Sequence, residues 1–136
     1  MRALRGAEGA SGVLAGVRRT ADRPATAGLH RRLRRLPVAR VCGRWVPVAA
    51  DRRARLLGLA GLSSEEAGPG LLIPRCRSIH TFGMRFALDV VFLDEELAPL
   101  GPPRRVPPRR IVFACRASAV LELPTPGAAR GARLPG

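Results

Sequence analysis

The chain has 136 residues, enough for one domain with room for tails. All 24 of its basic residues are arginine and it has no Lys, Asn, Gln or Tyr, a pattern that points to a GC-rich bacterial genome, so that part of the net charge of +14 is coding bias. No apolar run approaches the ~18 residues of a membrane span, and the odd, widely spaced Cys42, Cys76 and Cys115 argue against a zinc site or a disulfide framework, leaving a cytoplasmic protein with reduced thiols as the expectation.

The charge is uneven along the chain. Residues 1–36 carry nine Arg against Glu8 and Asp22, a net +7, whereas residues 37–127 carry thirteen Arg against eight acids, a net +5. A basic leader can touch nucleic acid or acidic lipid by electrostatics alone. With four Phe, one Trp and no Tyr, the chain lacks the aromatic platforms that nucleic-acid binding uses. Residues 1–36 are therefore expected to be a disordered Arg/Ala-rich extension with at most a short basic helix over 29–36. The Gly9–Val17 stretch is too glycine-rich to be a good apolar core of a secretory signal. The expected domain runs over 37–127, followed by a tail over 128–136.

RVCGRWVPV, from Arg40 to Val48, suits one or two short strands, with Trp45 as a core or edge anchor. Residues 50–62 are the best helix candidate. Asp51 stands at the N-cap, Leu56, Leu59 and Ala60 share a face, and Gly61 offers a left-handed stop. A capped turn at Ser63 or Ser64 and a short apolar strand over 70–74 follow. Phe86, Leu88, Val90 and Phe92 alternate with Ala87, Asp89, Val91 and Leu93, and both sets are apolar except at Asp89, as in a central strand covered on two sides. Residues 94–97 read as a turn into an antiparallel partner. GPPRRVPPRR (101–110) reads as a break, and 111–115 and 119–124 as two more strands, with Glu122 facing solvent or paired to an arginine. The sum is a mainly β fold, a compact antiparallel sandwich or barrel with one short helix.

CRSIHTFGMR, from Cys76 to Arg85, concentrates the polar chemistry. A buried Asp89 needs a partner, and His80, Arg85, Arg55 or loop amides are the candidates. A His–Asp pair is also the minimal general base with its orienting acid, so a small hydrolase with His80 as base and Asp89 behind it is the alternative reading. The first reading is a ligand-binding or accessory domain in which Arg55, Cys76, His80, Thr81 and Arg85 surround a shallow cleft. Arg85 would meet a small anionic molecule, and His80 and Thr81 would hydrogen-bond it. His80 and Asp89 alone fall short of a metal site, and no cofactor is expected.

GLLIPRCRSIHTFGMRFALDVVFLD (Gly70–Asp94) resembles the signature of the domain-of-unknown-function family 192, a bacterial and archaeal family without an established activity. The resemblance is carried by Gly70, Cys76, Ile79 to Phe86, Asp89 and Phe92 to Asp94. It extends to Arg55, Gly58 and Leu59 upstream and to Pro108, Arg109, Leu121, Glu122 and Pro124 downstream. It implies a mainly β sandwich or barrel of jelly-roll type. The chain departs from the pattern at Ala87, at Glu95-Glu96, and after Leu123, where PTPGAARGARLPG is short, so a missing closing strand is one expectation.

Overall fold

The computed structural model describes residues 29–125. Within them the order is α1 (Arg31–Arg34), β1 (Val38–Val41), β2 (Arg44–Pro47), α2 (Arg52–Leu57), α3 (Ser64–Ala67), β3 (Leu71–Pro74), β4 (Ser78–His80), β5 (Leu88–Leu93), β6 (Arg104–Val106), β7 (Ile111–Phe113) and β8 (Ala119–Pro124). The fold is mainly β, and every strand pairs antiparallel with its neighbours. The strands form a β1–β2 hairpin, a four-stranded sheet in the order β3-β8-β5-β6, and a β4–β7 ribbon. The sheets pack as a sandwich and do not close into a barrel.

The four-stranded sheet is the middle layer. On one face Leu71, Ile73, Leu88, Val90, Val106 and Val120 pack under the three short helices and the β4–β7 ribbon. On the other face Leu72, Val91, Leu93, Ala119 and Leu121 pack under Ala39, Val41, Val46 and Val48 of the hairpin region. β5 and β8 are the interior strands and are covered on both faces, which is why their apolar runs are nearly continuous. Cys42 and Gly43 both take positive φ, 49° and 77°, and close the β1–β2 hairpin as a two-residue turn.

Five sequence expectations are corrected here. Residues 29–36 do not belong to an extension: Leu29, Leu33 and Leu36 are buried in the core around α1. The rest of the expected extension, the tail, and the question of a closing strand lie outside the described residues. The candidate helix ends at Leu57 because Gly58 (φ 50°) stops it; two further short helices, α1 and α3, lie in the 29–36 stretch and at the capped turn after Ser63. Leu56, expected on its buried face, is 73% exposed, whereas Ala54 and Leu59 face the core. The proline-rich stretch contains β6, which pairs with β5 at the edge of the sheet, where flanking prolines leave no ladder donor unmet. His80 ends a strand, β4, rather than standing in a loop.

Candidate functional site

Three elements converge beside the first face of the sheet: the end of α2 with its following turn, β4, and β8. α2 starts at Asp51, whose Oδ1 accepts from the Ala54 N–H at 2.8 Å. It is tied to the end of β3 by Arg55, which donates to the carbonyls of Pro74 (2.8 Å) and Arg75 (3.0 Å). The turn after α2 is held from behind by Arg32, whose Nη2 donates to the carbonyls of Gly58 (3.0 Å) and Ala60 (2.8 Å). β4 pairs with β7 so that Ile79 and Val112 face the core. Ser78, His80, Ile111 and Phe113 face outward and are exposed.

Between these elements lies a cavity of about 110 Å³. Leu57, Leu59, Ile73, Ile79 and Met84 give it apolar walls, and Arg55, Leu56, Cys76, His80 and Phe82 also border it. Glu122 of β8 is the acid on its lining. The register places Glu122 beside Leu71 and Val90 on the first face of the sheet, under the helices. Its residue exposure is 4%, and its Oε2 is buried with no hydrogen-bond partner. Burial pushes its pKa up to about 7. The carboxyl therefore exchanges its proton near neutrality instead of standing as a fixed charge.

Two glycines make room for this residue. Gly70 has φ 113°, and a Cβ there would collide with the Glu122 carbonyl oxygen. Gly58 has φ 50°, and a Cβ would stand 3.5 Å from Glu122 Oε2. The sequence reading missed Glu122 because Leu121 and Leu123 seemed to own the buried face. The usable signal was Val120, which shares the face of Glu122 and is itself fully buried.

The residues expected to form the site are only partly brought together. Arg55, Cys76 and His80 border the cavity. The Nη atoms of Arg55 are taken up by backbone carbonyls, and Cys76 Sγ donates to the Ser78 carbonyl at 2.9 Å. His80 is exposed, with its ring tilted against Phe82 at a centroid distance of 5.7 Å. Thr81 is 0% exposed and is not on the cavity wall. Its hydroxyl donates to the Pro107 carbonyl (2.7 Å) and accepts from the Arg110 N–H (2.9 Å), latching the turn that precedes β7. Arg85 is exposed and absent from the wall. Its charge reaches Glu66, whose carboxyl is held below the usual range first by the Ser63 N–H and least by Arg85.

The His80–Asp89 dyad is not formed. Asp89 stands on the opposite face of the sheet from Glu122, and its Oδ1 accepts from Arg105 Nε at 3.3 Å across the β5–β6 pair. A general base at His80 would thus not have Asp89 as its orienting acid. Among the described residues no group of three or more His, Cys, Asp or Glu side chains is placed to hold a metal ion, and no helix is long and apolar enough to cross a membrane. The thiols of Cys42, Cys76 and Cys115 are free.

A family model matches the chain over residues 42–133, that of DUF192, described as an uncharacterized ACR. No curated protein and no solved structure matches the chain.

Proposed function

The chain belongs to the DUF192 family, whose description carries no activity, and from the cavity itself we propose that the protein binds a small amphipathic molecule whose polar end hydrogen-bonds the Glu122 carboxyl. The observation that carries this reading is a carboxyl that is 4% exposed, on the lining of a cavity, with an oxygen that no protein group satisfies. A buried polar group without a partner costs about 1–3 kcal/mol. Gly58 leaves the space beside Glu122 Oε2 open, where a Cβ would stand 3.5 Å away.

The size and edge of the cavity narrow the ligand class. At about 110 Å³ it is well below the ~300–1,000 Å³ of pockets that enclose drug-sized ligands. It therefore takes a compact molecule or the head of a larger one. Leu56 (73% exposed) and Phe82 (50% exposed) border the cavity and offer an apolar shelf for the remainder. The anionic ligand expected from sequence fits this cavity poorly. The arginine on the wall is committed to two carbonyls, Arg85 is elsewhere, and a carboxylate next to Glu122 would be repelled once Glu122 ionises. An amine, amide or alcohol head fits better: each can donate to a carboxyl, and an amine can take its proton.

Calorimetric titration of the full chain with a matched set of short alkyl amines, amides, alcohols and carboxylates tests this. Amines, amides or alcohols are expected to bind, and Glu122→Gln to abolish the preference for amines. Preferred binding of the carboxylates, or a preference for amines unchanged in Glu122→Gln, would overturn the assignment of Glu122 as the anchor.

A further inference from the structure

A second cavity lies on the other side of the Leu57–Gly58 segment, between α1 and the start of α2. It has a volume of about 520 Å³. Four arginines line it, Arg31, Arg32, Arg35 and Arg53, together with His30 and a single acid, Asp51. With His30 neutral, four cations against one anion leave this groove at +3. Asp51, the one acid in that sum, also caps α2 through its Oδ1. The ion pair among the described residues, Arg105 with Asp89, lies elsewhere.

Arg32 is the centre of the groove. Its Nη2 holds the carbonyls of Gly58 and Ala60, which are neutral acceptors, and its Nε is buried without a partner. Burial first, and then the neighbouring charge of Arg53, pull its pKa down, with Glu66 acting the other way. A half-buried guanidinium crowded by another cation, on a wall with four arginines and one acid, is stabilised by a nearby anion that can accept from several N–H groups at once. Arg31, Arg35 and Arg53 are exposed and free to turn toward it.

We propose that this groove is a binding site for a multiply charged oxyanion, the phosphate or diphosphate group of a small molecule, gripped by Arg53 with Arg31 and Arg35 at the rim and the charge of Arg32, whose Nη2 is committed to two carbonyls, behind it. The guanidinium fork matches the paired oxygens of a phosphate. The proposal does not rest on the Glu122 cavity: it uses the opposite side of the Leu57–Gly58 segment and the opposite charge. It also offers a small anion a place away from Arg85, where the sequence leads one to be expected.

The test separates a built site from the general attraction of a chain with net charge +14. Inorganic pyrophosphate and inorganic phosphate are titrated calorimetrically into the full chain at fixed ionic strength. The same titration is run on Arg53→Ala, on Arg35→Ala, and on Arg44→Ala, which removes the same charge from the exposed start of β2. One-to-one binding is expected. It should weaken roughly tenfold or more in Arg53→Ala, less in Arg35→Ala, and by less than about twofold in Arg44→Ala. Equal weakening in all three variants, or no stoichiometric binding of either anion, would overturn the proposal. So would binding seen only with a duplex oligonucleotide, which would place the charge in nucleic-acid contact instead.

Discussion

The two faces of the four-stranded sheet carry one acid each on its interior strands, and they treat those acids in opposite ways. On the face under the β1–β2 hairpin, Asp89 lies near the sheet edge. Its side chain keeps 20% exposure and has Arg105 as a partner. On the face under the helices, Glu122 lies in the interior strand β8 with a buried Oε2 that has no hydrogen-bond partner. The two acids sit on adjacent paired strands, Asp89 opposite Leu123 and Val90 opposite Glu122, so a single step of strand alternation sends them to different environments. Asp89 has the ordinary answer for a strand acid, an arginine and partial exposure. Glu122 is nearly fully buried and its Oε2 has no protein partner, and that contrast sets the two faces apart.

The largest effects test whether the two faces are independent cores of similar weight. Leu88 is 0% exposed on the helix face and Leu121 is 0% exposed on the hairpin face. Replacing either with Ala should cost about 2–5 kcal/mol, measured as urea unfolding midpoints at unchanged slope. A Leu121→Ala loss well under about 1 kcal/mol would mean that the hairpin is a loose cover and that the hairpin face is no core at all.

The next effect separates the acids by pH. Burial raises the Glu122 pKa from 4.5 to about 7. The folded state therefore holds this proton more tightly than the unfolded chain does. Its contribution is fully present below about pH 4.5 and is lost as pH rises through about 7. The total is on the order of 3 kcal/mol. Glu122→Gln cannot ionise and should gain on the parent chain by about that amount between pH 4.5 and pH 8. Thermal melts of both proteins across that range check it. Parallel curves would show that Glu122 is charged at all these pH values and the cavity wetter than its walls imply.

A third variant probes the layer that covers the helix face. Thr81→Val keeps the shape of this buried side chain but strips the hydroxyl from its part-buried bonds to two backbone groups, the Pro107 carbonyl and the Arg110 N–H. The cost should be about 1–3 kcal/mol. His80→Ala, by contrast, removes an exposed ring whose recorded contact is with Phe82, and should stay within about 0.5 kcal/mol. The same melts check both; a loss with His80→Ala as large as that with Thr81→Val would give His80 a structural duty that its exposure does not suggest.

The contrast between the faces also explains what was legible in the sequence. β3, β5 and β8 could be read because their alternating or continuous apolar residues follow directly from coverage on one or two sides. β6 could not, since an edge strand of three residues between prolines has no hydrophobic period to display. Missing β6 hid Arg105, and so the partner of Asp89 was sought in His80, Arg85 and Arg55. β4 was hidden in a similar way, because a three-residue strand with only Ile79 inward looks like a polar loop. The helix overran because Gly58 and Gly61 are both plausible stops, and only the packing of Leu59 selects the first. Glu122 reads as solvent-facing or arginine-paired because alternation within one strand cannot tell whether a second layer covers the other side. Of the site, the sequence placed Arg55, Cys76 and His80 near one another but gave no sight of the floor.

The smallest effect is the most direct check on the contrast. Asp89→Asn removes the charge that faces Arg105, a residue whose side chain is 63% exposed. An exposed pair at 3.3 Å contributes about 0–1 kcal/mol, and salt screens it further. The melt of Asp89→Asn should therefore fall little, and the gap should shrink as sodium chloride is added. Asn also fits the strand without leaving a buried charge behind. A loss of about 2 kcal/mol or more, insensitive to salt, would mean that Asp89 is as deeply committed as Glu122. The asymmetry between the faces would then lie in packing alone, and the case for the Glu122 cavity would have to stand on its ligands rather than on the comparison.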